Sequence, residues 1–587
     1  VKGGLIMRKE FCLKHGKVTM NFTAKYCDSF ESIINSEGFR KVLETYLKKT
    51  KNKKSHNFRF LSEAIGTEDI KVISRYLIST LKLLSMMGAD EVLVVNDAFE
   101  GLLEDKKSFA NIIDDVYSFW RKLERYTVIQ NNKVKDGIAA VGFVDANKSF
   151  NDLILRFYRR LQKNLLGSMP NILRQVSAGG NASIMVSNLI WPSPREYSIL
   201  DHIPFIDAIS LEAPFITYPS KNTRDGIFLE TSENPLSGSH INSEEWFCYP
   251  AKVGELLAYV YFHRDFMSHG ISLCNLFDLA TVEECRGVKP DIIYVFGAKD
   301  DDDELKTCFY DDEKNNIMLG YANYSEEIDY FGYMKKMILT LHNIIMIKRG
   351  YMPIHGAMVN VVLKNGKEAN IVIMGDSGAG KSESLEAFRA LSEEYISDMT
   401  IIFDDMGVFK NVDGIIKGYG TEIGAFVRLD DLDQGYAFKE IDRSIFMNPD
   451  KINARLLMPV CKYDDIIRGY DVDLFLYANN YDGVDEGEKS IEYFNNPEEA
   501  KKIFKAGARM AKGTTTENGL VESYFANPFG PVQKKEEMDL IIDKYFEDMF
   551  NNKVKVGQIK TCLGVLGFEK EGPKKAAIEL FDIIEKM

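Results

Sequence analysis

The octapeptide Gly375 to Ser382, GDSGAGKS, follows the apolar, β-branched run Ile371 to Met374 and precedes a helix-like run, Glu383 to Leu391. A strand, a glycine loop and a helix in that order are the context the Walker A pattern requires. Gly375, Asp376, Ser377, Gly378, Ala379 and Gly380 then turn successive backbone N–H groups inward around phosphate oxygens, and the new helix adds its positive N-terminal end. Lys381, read as a solvated clamp, is expected to reach the β- and γ-phosphates, and Ser382 to hold a divalent cation. A glycine turn that is only a turn needs neither the lysine nor the serine. A chain with this feature is expected to be an α/β protein that binds a nucleotide such as ATP.

Two neighbouring features extend that reading. Ile401 to Phe403 reads as a short buried strand ending in Asp404 and Asp405, and carboxylates at a strand end near a phosphate loop commonly hold a nucleotide's metal. His355 closes a turn before another strand-like run, Ala357 to Leu363. A lone histidine is more often a satisfied core or turn residue than a ligand, so His355 needs company to become one.

At 587 residues, with 45% hydrophobic and 27% charged residues, the chain has material for two or three domains and an ample core. The longest apolar stretch, Met337 to Ile347, is interrupted by His342 and Asn343 and is too short to span a bilayer. No apolar core followed by a cleavage site stands at the start of the sequence, so secretion is not expected. Eight scattered cysteines form no CxxC pair, which suits a reducing cytoplasm and indicates neither a zinc site nor a disulfide framework. Net charge is −14, yet residues 1 to 60 carry 14 Lys and Arg against 5 Asp and Glu. The basic peak, Lys48 to Lys54, lacks aromatic interleaving and reads as a solvated loop. Neither nucleic acid nor a membrane is expected as a partner.

Residues 1 to 190 show helical periodicity at Phe30 to Leu47, Glu68 to Met87, Ser108 to Tyr126 and Phe150 to Leu166, with strand-like Glu91 to Val95 and Ile138 to Val144 between. No chemical motif appears there, and the region leaves room for a protein partner. From about Trp191 the texture becomes short β-type segments with prolines and glycines. Phe215 to Tyr218 and Ile227 to Leu229 bracket a turn carrying Lys221 and Arg224. Tyr330 to Ile347, YFGYMKKMILTLHNIIMI, is a nearly all-apolar helix, so Lys335 and Lys336 near its start are not ordinary surface charge.

Read together, these phrases resemble ATP-dependent phosphoenolpyruvate carboxykinase. The likeness runs in order through Tyr330, Met334-Lys335-Lys336, His355, Gly375 to Ser382, Asp404-Asp405, TEIGAFVRLDDL (Thr421 to Leu432), INARLLMPV (Ile452 to Val460) and GTTTENG with FANPFGP (Gly513 to Pro531). It implies a two-lobed mixed fold, with a substrate lobe over 191–345 and a phosphate-loop lobe over 346–587, behind a mainly helical N-terminal extension over 1–190. It also implies a reaction: metal-dependent decarboxylation of oxaloacetate and phosphoryl transfer from ATP to give phosphoenolpyruvate, or the reverse. Lys336, His355 and Asp405 would then carry Mn²⁺, while Ser382 would carry the Mg²⁺ or Mn²⁺ of the nucleotide and Asp404 would orient water or metal nearby. Arg224, Tyr330, Lys335 and Arg455 would bind the substrate, Arg455 also meeting the transferring phosphate beside Lys381. A lysine ligates only when neutral, which burial favours.

Departures keep two alternatives open. The family's carboxylate-binding loop is shortened here to Thr223-Arg224-Asp225, and Asn518 stands where the family has an arginine near the nucleotide. GDSGAGKSE with His355-Gly356 before it and Asp404-Asp405 after it is also similar to HPr kinase, which would make the chain a kinase of a protein or small-molecule hydroxyl. A nucleotide-binding regulator without chemistry is the third reading.

Overall fold

The computed structural model describes residues 9–131, 138–169, 173, 176–224, 226–300, 304–376, 378–381, 384, 388, 395–429, 441–484, 487–511, 519–568 and 571–587. The chain is a mixed α/β protein with several mixed sheets. It divides into two compact units, Val1–Asn188 with Pro204–Phe215, and Leu189–Ile203 with Ile216–Met587.

The first unit packs helices on five strands of a mixed sheet: β1 (Phe11–Lys14), β2 (Lys17–Asn21), β3 (Glu124–Gln130), β4 (Ala182–Ser187) and β5 (Phe205–Leu211). The outer pairings β1–β2 and β4–β5 are antiparallel and the inner ones parallel. The principal helices are α1 (Glu37–Asn52), α2 (Ile70–Leu84), α3 (Lys106–Lys122) and α4 (Ile138–Leu166). Leu43, Leu47, Leu77, Leu84, Ile112 and Leu161 are buried in one core from these four helices.

Three sequence expectations fail in this unit for identifiable reasons. Glu91 to Val95 is helical within Ala89–Val95, because Glu91 Oε2 accepts the Gly88 N–H at 2.9 Å and caps the turn; four apolar residues cannot by themselves declare a strand. Ile138 to Val144 is likewise the first two turns of α4. Helix α3 stops at Lys122 instead of running to Tyr126, since Leu123 turns extended and Glu124 opens β3. Arg125 closes that helix end: its buried guanidinium donates to the carbonyls of Trp120 (3.0 Å), Arg121 (2.6 Å) and Leu123 (2.8 Å), with Nε on Gly179 O at 2.7 Å. Burial lowers its pKa to about 10.

In the second unit, one sheet holds β6 (Trp246–Val253), β7 (Leu256–His263), β8 (Ile292–Asp300), β9 (Thr307–Asp312) and β10 (Ile317–Asn323). Its middle strands β7, β8 and β10 are parallel neighbours. Helix α5 (Phe331–Lys348) follows, and 15 of its 18 residues are buried, because it packs on β8 and β10 and also on a second sheet. Each fully buried Ile, Leu or Met along it contributes about 2 kcal/mol.

The second sheet contains β11 (Met352–Leu363), β12 (Glu368–Met374), β13 (Ile396–Phe403), β14 (Met406–Val412), β15 (Ile415–Gly420), β16 (Leu474–Asn479) and β17 (Lys555–Lys560). β11 is antiparallel to β12, β13 and β14, whereas β12, β16 and β17 run parallel. A third, antiparallel set places Gly424–Arg428 and Ile445–Met447 on either side of Arg455–Pro459. Among the described residues, no helix is long and apolar enough to cross a membrane.

Candidate functional site

Strand β11 brings the first two pieces together. His355 pairs with Met406 across β11 and β14, which sets Asp405 beside it: His355 Nε2 lies 3.0 Å from Asp405 Oδ1. The other carboxylate oxygen, Oδ2, accepts from Lys336 Nζ at 2.6 Å and faces Lys335 Nζ at 2.7 Å, both lysines reaching down from the first turns of α5. Lys335 also approaches Glu422 Oε2 at 3.2 Å. Lys336 and His355, separated by 69 and 50 positions in sequence from Asp405, therefore meet it in one buried cluster.

The protonation logic of the cluster follows from burial and charge. Burial opposes the charge on Lys335, but Asp405 and Glu422 outweigh it and raise its pKa. Burial lowers that of Lys336, with Lys335 adding repulsion against the pull of Asp405. Burial would neutralise Asp405, yet the two lysines and His355 hold it well below the usual carboxylate range. Glu422 is pushed up to about 7 by burial, against the pull of Lys335. Burial and then Lys381 keep the His355 imidazole below its ordinary value.

His355 also has a fixed tautomer. Its Nδ1 lies 2.6 Å from the Ala526 carbonyl, which can only accept, so Nδ1 carries the proton. In the neutral ring Nε2 then turns a lone pair toward Asp405 Oδ1, whereas a protonated ring donates to that oxygen. Phe525 and Ala526 both adopt positive φ, 53° and 46°, a strain of about 1–3 kcal/mol each that aims this carbonyl at the ring.

Next to the cluster lies the glycine-rich loop. Gly375 N donates to His355 O at 3.0 Å, and Asp376 Oδ1 lies 3.7 Å from His355 Nδ1. Gly380 has φ +103° and a Cβ there would sit 2.7 Å from Thr561 Oγ1, so only glycine fits. The loop is braced by Asn480 Nδ2 on Gly378 O (3.1 Å) and Thr561 Oγ1 on Ala379 O (2.9 Å). Lys381 is not the solvated clamp expected: it is 7% exposed, its Nζ folded back onto Gly375 O at 2.7 Å and Asp376 O at 3.2 Å. Ser377, Ser382, the expected helix beyond Ser382 for most of its length, and Asn518 lie outside the described residues.

The remaining expected residues gather on two aromatic rings. Lys336 Nζ stands 4.5 Å and the Arg224 guanidinium 5.3 Å from the Phe529 ring centroid, while His355 meets the same ring edge-on at 6.1 Å. Lys335 (5.8 Å) and Arg455 (5.4 Å) share the Phe426 ring, which Tyr330 packs against at 6.2 Å. The Arg224 turn is stitched down by Ser220 N on Asp329 Oδ2 (2.9 Å) and Asn453 Nδ2 on Asn222 O (2.7 Å). Arg455 stands directly opposite Arg428 across its strand pair, and like charges so placed cost stability unless an anion lies between them. Asp404 is half-buried and its charge acts on Cys461, the Asp-Asp pair thus splitting its carboxylates between two environments.

Glu422, Asn343, Phe529 and Arg509 belong to the site but were not singled out from sequence. Asn343 Nδ2 holds Phe529 O at 2.7 Å, and Arg509 Nε donates to Asp376 Oδ2 at 3.0 Å. For Asn343 a signal did exist: an amide inside an otherwise apolar helix needs a buried partner. Among the described residues, no group of three or more His, Cys, Asp and Glu side chains forms a metal-binding arrangement; the cluster here includes a lysine. Neither a protein-family model nor any curated protein sequence matches the chain.

Proposed function

We propose that the second unit is a metal-dependent phosphoryl-transfer enzyme of the phosphoenolpyruvate carboxykinase type, interconverting oxaloacetate plus ATP with phosphoenolpyruvate, ADP and CO₂. The observation that carries this reading is the convergence of Lys336, His355 and Asp405 directly beside the start of the glycine loop. A hydroxyl kinase has no use for a buried lysine pair on its carboxylate. Asp405, held well below the usual carboxylate range with Lys335 as the strongest positive charge acting on it, is a poor proton acceptor for a substrate hydroxyl.

The donor set fits a divalent cation. His355 offers Nε2 with its other nitrogen fixed, Asp405 offers an anionic oxygen, and Lys336, whose charge burial disfavours, offers an amine. This mixed nitrogen and oxygen set suits Mn²⁺ better than Mg²⁺. A cation held there would supply Lewis acidity for the oxygen of the enolate formed on decarboxylation.

The chain's own residues account for the rest. Arg224 and Arg455, reaching the rings beside Lys336 and Lys335, would bind the carboxylates and the phosphoryl group of a substrate carrying several negative charges. Lys335 stays charged and completes that positive wall, with Tyr330 packing behind it. Lys381 would leave its loop carbonyls for the β- and γ-phosphates of ATP, and backbone N–H groups of the loop beyond Gly375, whose own N–H is taken by His355 O, would cradle them. Ser382 would hold the Mg²⁺ that accompanies the nucleotide, and Asp404 would orient water near it. Under this reading Ile216–Met587 contains both lobes of such an enzyme, and the helical first unit is an addition to them.

The test is direct: purified protein with Mn²⁺, Mg²⁺, ATP and oxaloacetate should yield phosphoenolpyruvate and ADP together. ADP released at the same rate without oxaloacetate, and no phosphoenolpyruvate, would replace this reading with a kinase or an ATPase.

A further inference from the structure

The first unit contains a cavity of about 150 Å³ between β1, β2 and helices α1 to α4. Its surface is hydrocarbon and aromatic carbon almost throughout, from side chains such as Val42, Leu77, Ile113, Phe150 and Phe157. The polar groups along it are already engaged. Ser36 Oγ donates to Ile33 O (2.7 Å), Trp120 Nε1 to Ala178 O (2.9 Å), Tyr158 OH to Asp114 Oδ1 (2.8 Å), Tyr117 OH to Val176 O (3.4 Å) and Cys27 Sγ to Ser32 O (3.5 Å). Among the described residues, only Glu10 and the exposed Lys25 bring charge to its edge.

That inventory decides what the cavity can take. Water needs two to four polar partners, and a lining this apolar with its polar groups engaged favours hydrocarbon over water. A sugar, nucleotide or amino acid would bury hydrogen-bonding groups without partners. Interiors are otherwise packed to crystal density, and a hydrocarbon-walled space of this size is large enough for a benzene-sized molecule. We propose that the first unit binds a compact hydrocarbon group of roughly six to eight carbons, either a free apolar molecule or the end of an acyl chain whose carboxylate emerges at Lys25.

Titrating the full chain with toluene and, separately, with octanoate tests this, with hydrogen exchange followed by mass spectrometry on the saturated samples. Saturable binding of at least one probe is expected, with new protection concentrated in 37–52 and 106–122, and loss of about tenfold or more in affinity in Val42→Phe, which fills the space. Octanoate binding that weakens in Lys25→Ala while toluene binding does not identifies the acyl chain; toluene binding alone identifies the free apolar molecule. Binding of neither probe, or protection spread evenly over both units, overturns the proposal, as does unchanged affinity in a folded Val42→Phe protein. Should Val42→Phe fail to fold, the exchange pattern of the unaltered protein decides alone.

Discussion

Asp405 takes Lys336 on one carboxylate oxygen at 2.6 Å and faces His355 Nε2 with the other at 3.0 Å. Removing its charge leaves two buried ammonium groups with Glu422 as the remaining carboxylate beside Lys335. Asp405→Asn is expected to destabilise the protein by about 3–5 kcal/mol, read as a lower denaturant midpoint, and to abolish phosphoenolpyruvate formation. A variant as stable as the parent would mean the lysines are neutral before the mutation.

His355→Gln separates metal from nucleotide. The glutamine keeps a donor for Ala526 O but loses the imidazole Nε2, so Mn²⁺ affinity and decarboxylation should fall together, by at least the roughly 10- to 100-fold that losing a mere outer-shell partner costs. Binding of a fluorescent ATP analogue should persist, because the glycine loop is braced by Asn480 and Thr561 and not by the ring. Normal Mn²⁺ dependence in this variant would remove the cluster from the mechanism.

Lys381→Ala should eliminate most phosphoryl transfer while the second unit stays folded. Its ammonium donates to the loop carbonyls of Gly375 and Asp376, and hydrogen bonds of this kind contribute on the order of 1–3 kcal/mol. Circular dichroism and ATP-analogue titration together check it; unchanged turnover would exclude the loop.

Arg224→Ala and Arg455→Ala should divide binding from turnover. Arg224 sits over the Phe529 ring, outside the ion-paired cluster, and its loss is expected mainly to raise KM for oxaloacetate, by about tenfold or more. Arg455 is expected to lower kcat as well, since it would meet the phosphoryl group in flight. Steady-state kinetics at fixed Mn²⁺ distinguish the two; equal effects of both variants on KM alone would assign both arginines to ground-state binding.

Acid should weaken the protein partly through His342. Burial lowers its pKa to about 4 from an ordinary 6.5, so the unfolded chain takes up this proton first. The stability is fully present above pH 6.5 and is lost as pH falls toward 4, by on the order of 3 kcal/mol in all. Subtracting the stability profile of His342→Asn from that of the parent isolates this group from the other buried histidines. A flat difference between pH 4 and 6.5 would show that His342 is solvated in the native state.

Local chemistry was legible in the residues themselves. The apolar run of Tyr330 to Ile347 declared a buried helix, and its two lysines declared themselves unusual because a buried helix has no solvated face. The strand before the glycine loop and the strand ending at Asp404 were equally readable, since both are short apolar runs punctuated by glycine or by carboxylates. Short runs without such punctuation misled: Glu91 to Val95 and Ile138 to Val144 are helices because capping and a long flanking helix outweigh β-branched composition.

What no local pattern could contain is the set of contacts between residues tens or hundreds of positions apart. That Asp405 and not Asp404 turns toward Lys336 depends on the register of β11 with β14, in which a shift of one residue would exchange the two carboxylates. That Ala526 fixes the tautomer of His355, and that Asn343 fixes Phe529 beneath Arg224 and Lys336, depends on loops closing over 171 and 186 residues of chain. Composition and periodicity act over one or two turns and select the elements; burial and hydrogen-bond satisfaction act across the folded unit and select which side chains meet.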